Sequence, residues 1–418
     1  CKRCKRMDTT PNLCKSLMKR GMIMKFNFDE IINRKDTNSL KWDLQRVNYP
    51  MWVADMDFEV APCIQDAMER IVNKKVYGYP LLDQDFYKSI QRWWLTRHGI
   101  GLDTSMMQFV SGVMPALKII IERFSAPGEK VIIQAPVYHL FTQTIEECGR
   151  QVSINQLMYQ DNEYFMDFID LEKRMADPLT TIMVLCNPQN PTGTLWDKDS
   201  LARIGKLADK YGVLFVSDEI HADLVEPGFA YIPYARVNEV CRNNSITLVS
   251  ASKAFNIAGL QSGCTITPNS SINNQLKTAL RQTYITDPNI FAAQASIAAF
   301  EDGQAWLDAC NAYVAENKKV VEEFLKESIP ELTVTKGNAT TLLWIDCRNF
   351  TENTDDMCDV LIRKEGLFVS KGSQFGPGGQ GFIRMNIACP RQLLLEALLA
   401  LRSGIHSRSM RKTLESNK

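Results

Sequence analysis

The stretch Ile246-Thr-Leu-Val-Ser250-Ala-Ser-Lys253-Ala-Phe-Asn-Ile-Ala-Gly259 decides how this chain folds. An apolar, β-branched run ends in small hydroxyl residues and a lysine, the pattern of a buried strand opening into a charged turn. An ammonium at the end of such a strand is unfavourable to bury, so the lysine's pKa falls and its amine becomes nucleophilic near neutral pH. Taken alone, Ser-x-Ser-Lys is a weak motif, and most matches are surface lysines.

Outward from there, similar apolar runs occur at 130–135, 181–186, 213–217 and 263–267, with helical periodicity between them. Leu201, Ile204, Leu207, Ala208 and Tyr211 recur on one face of a helix over 201–211. This alternation predicts repeated βαβ units: an α/β fold with a mostly parallel sheet between helices, its ligands at the carboxyl ends of the strands. Further on, 290–328 reads as helix, while 332–346 and 366–388 hold shorter strand-like runs around Gly376-Pro377-Gly378-Gly379. A smaller α+β domain is expected there. The expected organisation is an extension over 1–23, an N-terminal arm over 24–75 that joins the small domain, a large domain over 76–308, the small domain over 309–402 and a fraying polar tail over 403–418.

The other predicted strand ends carry polar clusters too. Ser217-Asp-Glu-Ile-His221 places Asp218 where a buried carboxylate needs a cationic partner, such as a protonated heteroaromatic nitrogen, although an isolated Asp is more often a helix cap. Cys186-Asn187-Pro-Gln-Asn190-Pro-Thr-Gly193 breaks its strand sharply and can be read simply as a turn. Val110-Ser-Gly112-Val113-Met114-Pro115 opens an apolar helix, whose free amides could cradle a phosphate or bind nothing. Tyr138, after Pro136-Val137, is either a stacking ring or core. Jointly, a phosphate cradle, a ring, an Asn donor, a buried Asp and a strand-end Lys match the parts that hold pyridoxal 5′-phosphate.

Composition narrows the partners. The 48 Lys/Arg cancel the 48 Asp/Glu, which removes the bulk electrostatic case for nucleic acid or anionic membrane. No run approaches the roughly 18 apolar residues of a transmembrane helix. Residues 1–23 hold seven Lys/Arg against Asp8, and Met24 is the expected natural start. Twelve cysteines are too dilute for a disulfide scaffold, and nine sit in mostly apolar sequence beyond residue 23, as reduced thiols of a cytoplasmic protein would. Cys1 and Cys4, with Cys14 nearby but no second pair and no His, do not make a metal site.

Ala54-Asp-Met-Asp-Phe58, Tyr77-Gly-Tyr79-Pro80, Ser217-Asp-Glu-Ile-His221, Ser250-Ala-Ser-Lys253 and Gly381-Phe-Ile-Arg384-Met-Asn together resemble fold-type I pyridoxal-phosphate enzymes of the aminotransferase class I/II superfamily. Within it they resemble the MalY/PatB branch of cystathionine β-lyases, or carbon-sulfur lyases, over about residues 24–402. The resemblance implies that Lys253 binds the cofactor covalently and Asp218 faces its pyridine nitrogen. It implies Asn190 on the phenolic oxygen, Tyr138 stacked on the ring, and a phosphate held by the amides of Val113 and Met114 and the hydroxyls of Ser250 and Ser252. It further implies a homodimer with shared active sites, in which Tyr79 reaches the phosphate of the other protomer, and Arg384 clamping the substrate carboxylate. An arginine outside such a motif is by default a surface ion pair.

The chain departs from the wider superfamily at His221, where aminotransferases usually have Tyr, and at Gln261, where they have Arg. Without that Arg, neutral donors and the helix start must hold the phosphate. His221 is either a donor to the cofactor's oxygen or a structural core histidine. Lys371-Gly372 stands where related lyases commonly have Pro-Gly. The implied activity is α,β-elimination of cystathionine or a related cysteine S-conjugate to a thiol, pyruvate and ammonia. The alternatives are an aminotransferase and, of another kind, a regulator acting through protein contacts.

Overall fold

The computed structural model describes residues 26–407. Residues 1–23, Met24 and the Cys1, Cys4 and Cys14 group lie outside them.

Seven strands form the large sheet: β1 (Met107–Val110), β2 (Lys130–Ile133), β3 (Gln151–Ile154), β4 (Thr180–Cys186), β5 (Leu214–Asp218), β6 (Ser245–Val249) and β7 (Gly263–Ile266). Their order is β1-β7-β6-β5-β4-β2-β3. Strands β3, β2, β4, β5 and β6 are parallel neighbours, and β7 runs antiparallel to both β6 and β1. The connection 250–262 explains the reversal: it holds turns and one short 3-10 segment, with no crossover helix to carry the chain back for a parallel return. β1 and β3 have no counterpart among the apolar runs recognised in the sequence.

The central strands are apolar on both faces because both faces are covered. In β4, Ile182 and Val184 enter one core while Met183 and Leu185 enter another on the opposite face. Each such fully buried side chain contributes about 1.5–3 kcal/mol. Helix Lys198–Tyr211 starts on Asp197, whose carboxylate accepts the Ser200 amide, and ends at Gly212 with φ 67°. It lays Leu201, Ile204, Leu207 and Ala208 on the second core.

A four-stranded antiparallel sheet follows, of β8 (Thr333–Val334), β9 (Leu342–Asp346), β10 (Ser370–Lys371) and β11 (Phe382–Asn386), in the order β8-β9-β11-β10. Beside it, Tyr49–Pro50 pairs in parallel with Leu367–Phe368, which ties the N-terminal segment to this part of the molecule. Helix Gln304–Ser328 contains no Gly or Pro and runs unbroken through the division expected at 308/309. The last helix, Arg391–Ile405, continues past 403 and buries Gly404 and Ile405.

Nine cysteines are described and all are free thiols; eight are buried and Cys63 is partly exposed. Among the described residues, no His/Cys/Asp/Glu group could hold a metal ion, and no helix is long and apolar enough to cross a membrane.

Candidate active site

The carboxyl ends of β4, β5 and β6 meet the start of helix α1 (Val113–Phe124) and strand β11 around one cavity of about 820 Å³. Its lining includes Val113, Met114, Tyr138, Asn190, Asp218, His221, Ser250, Ser252, Lys253 and Arg384, so ten of the eleven residues singled out in the sequence converge there. The eleventh, Tyr79, is fully exposed and does not line this cavity.

Lys253 follows β6 by four residues, and its Nζ donates to the Ala54 carbonyl at 3.2 Å. Burial holds its pKa below the ordinary lysine range; the carboxylates of Asp55 and Asp218 oppose the shift and the Arg384 charge adds to it. Asp218 ends β5 and is buried. It accepts the Ile220 amide at 3.1 Å, yet burial pushes its pKa up to about 7, against that hydrogen bond and the Lys253 charge. A cation beside it would reverse the shift.

Helix α1 starts at Gly112, which offers no side-chain cap to the first amides. Ser111, Ser252, Gln261 and Ser262 line the cavity with them. Ser250 braces the turn instead: its hydroxyl donates to the Ser262 carbonyl at 2.6 Å and accepts the Ser252 amide at 3.0 Å. Its proton is thus committed within the protein. Gln261 adopts a left-handed conformation with φ 54°.

Arg384, in the middle of β11, is buried. Its Nη1 donates to Asn190 Oδ1 at 3.0 Å and its Nη2 to the Trp52 carbonyl at 2.8 Å, while its Cζ lies 4.7 Å from the centre of the Phe375 ring. Its Nε has no hydrogen-bond partner, and burial lowers its pKa to about 10. A buried guanidinium held by neutral acceptors, with a donor to spare, is ready for an incoming carboxylate. His221 is buried with an unpartnered Nδ1, and burial lowers its pKa to about 3, so it is neutral at physiological pH.

Several supporting contacts carried no sequence signal, although Asn386 and Asn256 lie within stretches singled out there. Trp52 acts on Arg384 through its backbone carbonyl, which no side-chain pattern reports. Asn386 Nδ2 donates to the carbonyls of Val53 and Asp55, both at 2.7 Å. Asn256 Nδ2 reaches the carbonyls of Met56 and Phe58, at 3.0 and 3.2 Å. Segment 52–58 is therefore clamped from the Lys253 turn and from the Arg384 strand. The Ala54-Asp-Met-Asp-Phe58 motif was visible in the sequence, but its pairing with Asn386 and Asn256 was not.

A buried acid lacking its cation, open amides at a helix start, a strand-end lysine and unpartnered nitrogens on Arg384 and His221 fit pyridoxal 5′-phosphate together with an amino-acid carboxylate. Fold and site thus define a fold-type I pyridoxal-phosphate enzyme. The chain belongs to the family aminotransferase class I and II, whose model matches residues 53–401. It is 34% identical to "Cystathionine beta-lyase PatB" of Bacillus subtilis, over 91% of this chain and 100% of that protein. It is 32% identical to "Protein MalY" of Escherichia coli, over 91% and 99%. The crystal structure of the PLP-bound C-S lyase from Staphylococcus hominis superposes with a TM-score of 0.86 at 30% identity, over 92% of this chain and all of that one.

Proposed function

We propose that this enzyme is a carbon-sulfur β-lyase that cleaves L-cystathionine or a related cysteine S-conjugate to a thiol, pyruvate and ammonia. The observation that carries the lyase reading is the match to PatB along that protein's entire length. Bound in the cavity, pyridoxal phosphate supplies an electron sink for the charge that develops at the substrate Cα. Lys253 would hold the cofactor covalently and, with its amine free, take the proton from the substrate Cα. Burial helps by raising the neutral fraction of its amine. Asp218 would face the ring nitrogen and keep it protonated. Asn190 and neutral His221 would lie beside the phenolic oxygen, and Tyr138 against the ring. The amides of Val113 and Met114, with Ser252, would hold the phosphate, and Ser250 would fix that turn.

Arg384 would orient the substrate by its carboxylate. Exposed Val76, Tyr77, Tyr79 and Leu81 support a homodimer in which Tyr79 serves the phosphate end of the second copy's site. The buried free thiols support a cytoplasmic location.

The test is incubation of the purified holoenzyme with L-cystathionine and no 2-oxo acid. Stoichiometric homocysteine and pyruvate are the expected result. Amino transfer that requires a 2-oxo acid acceptor would instead make the chain an aminotransferase.

A further inference from the structure

Segment 52–58 carries two carboxylates with unlike surroundings. Both oxygens of Asp57 are used: Oδ1 accepts Arg34 Nη1 and Trp42 Nε1, each at 2.8 Å, and Oδ2 accepts Lys41 Nζ at 2.7 Å. Asp55 is half used. Its Oδ2 accepts Arg34 Nη2 at 2.7 Å, whereas its Oδ1 is buried without a hydrogen-bond partner, and Lys41 Nζ stands off from it at 3.8 Å. An unpaired buried carboxylate oxygen is unfavourable, and an ion pair that merely fixes this segment accounts for Oδ2 alone. The Asp55 backbone is held in place as well: its carbonyl accepts Lys41 Nζ at 2.9 Å and Asn386 Nδ2 at 2.7 Å. The preceding carbonyl, of Ala54, is the one that receives Lys253. Two carboxylates of this chain act on the lysine, and Asp55 acts more strongly than Asp218, with the Arg384 charge opposing both. Tyr138, His139 and His221 share the cavity in neutral form.

Resting on the lyase reading, we propose that Asp55 is a positioning residue for Lys253, its charge steadying the ammonium that forms there when the lysine takes the substrate's Cα proton. In that step the Cα–H bond breaks, its electron pair stays with the substrate and cofactor, and the proton binds the Nζ lone pair. A new cation then lies in a buried site, where a nearby carboxylate counts for most. Asp218 serves the ring nitrogen in that reading, which leaves Asp55 as the carboxylate at the lysine's side. Loss of its charge makes Lys253 a weaker base. Loss of Arg34, whose charge offsets that of Asp55, makes Lys253 a stronger one.

The experiment titrates Lys253 in the full-length chain freed of cofactor, by competitive labelling with acetic anhydride across pH and mass spectrometry of the Lys253 peptide. It needs no turnover, so its failure is distinguishable from failure of the lyase reading. Asp55→Asn should lower the Lys253 pKa by about one unit, and Arg34→Gln should raise it. A role confined to fixing the segment would move both variants the same way, because both lose the same ion pair. The holoenzyme gives a second readout with L-cystathionine and its Cα-deuterated form, at a pH above the lysine's pKa in wild type and variant. There Asp55→Asn should lower kcat by about threefold or more and enlarge the deuterium isotope effect on it, since proton transfer to a weaker base is slower. Wild-type titration of Lys253 in Asp55→Asn, or a fall in its pKa in Arg34→Gln, overturns the proposal. Arg34→Gln keeps the carboxylate and decides the question even if Asp55→Asn does not fold.

Discussion

Lys253 and Asp218 are both buried at strand ends, and burial moves each towards its neutral form: Lys253 below the ordinary lysine range, Asp218 up to about 7. Lys253→Ala should abolish both the visible absorption of the holoenzyme and the borohydride-stable attachment of cofactor, with turnover lost; near-normal pyruvate release by that variant would refute its role. For Asp218 the prediction concerns the cofactor-free protein. A carboxyl held above its ordinary value keeps its proton in the folded chain after the unfolded chain has lost it. The stability this contributes is complete below about pH 4 and is lost as pH rises towards 7. Asp218→Asn should therefore gain melting temperature relative to wild type across that window, and a constant difference between the two would count against the burial argument. Both residues were legible in the sequence, because a charged side chain that ends an apolar run is conspicuous. The committed hydroxyl of Ser250 was not, since its acceptor, the Ser262 carbonyl, comes from a turn twelve residues on.

Segment 52–58 fixes the separation of the lysine and the arginine. The Trp52 carbonyl receives Arg384, the Ala54 carbonyl receives Lys253, and Asn386 and Asn256 hold the intervening backbone. Asn386→Ala leaves two carbonyls without their donor, which costs about 1–3 kcal/mol of stability if they stay dry. Displacing reacting groups by about an ångström costs on the order of a hundredfold in rate. The variant should therefore fold, melt earlier and lose roughly ten- to hundredfold in kcat/KM, as steady-state kinetics and thermal melts can check. A fall in melting temperature with unchanged kcat/KM would make Asn386 purely structural. At this scale four of the five parallel strands were readable from their apolar runs, and the edge strand β3, Gln151-Val-Ser-Ile154, with its polar Gln and Ser, was not. β1 escaped because Met107-Gln-Phe-Val110 is short and contains a polar residue, and its strand character comes from pairing with β7, far along the chain.

Across the whole molecule, the α/β character and the smaller C-terminal sheet were both legible, because periodicity is a local property. How the N-terminal segment reaches across was only partly so. The pairing of Tyr49–Pro50 with Leu367–Phe368 joins residues more than three hundred positions apart, and no local pattern encodes that register. The helical reading of 290–328 is met by two helices, Ala292–Asp302 and Gln304–Ser328, separated at Gly303.

The sequestered sulfurs bear on how such a catalyst withstands its own chemistry. A protein that continually liberates mercaptans invites mixed disulfides, yet eight of its nine described thiols are walled off. Among the described thiols, adduct formation should be confined to Cys63, and there it should be slow, because burial and nearby Asp302 push that thiol's pKa up. Intact-mass spectrometry of residues 26–407 after prolonged turnover in air should find no more than one added thiol per chain, removed by Cys63→Ser.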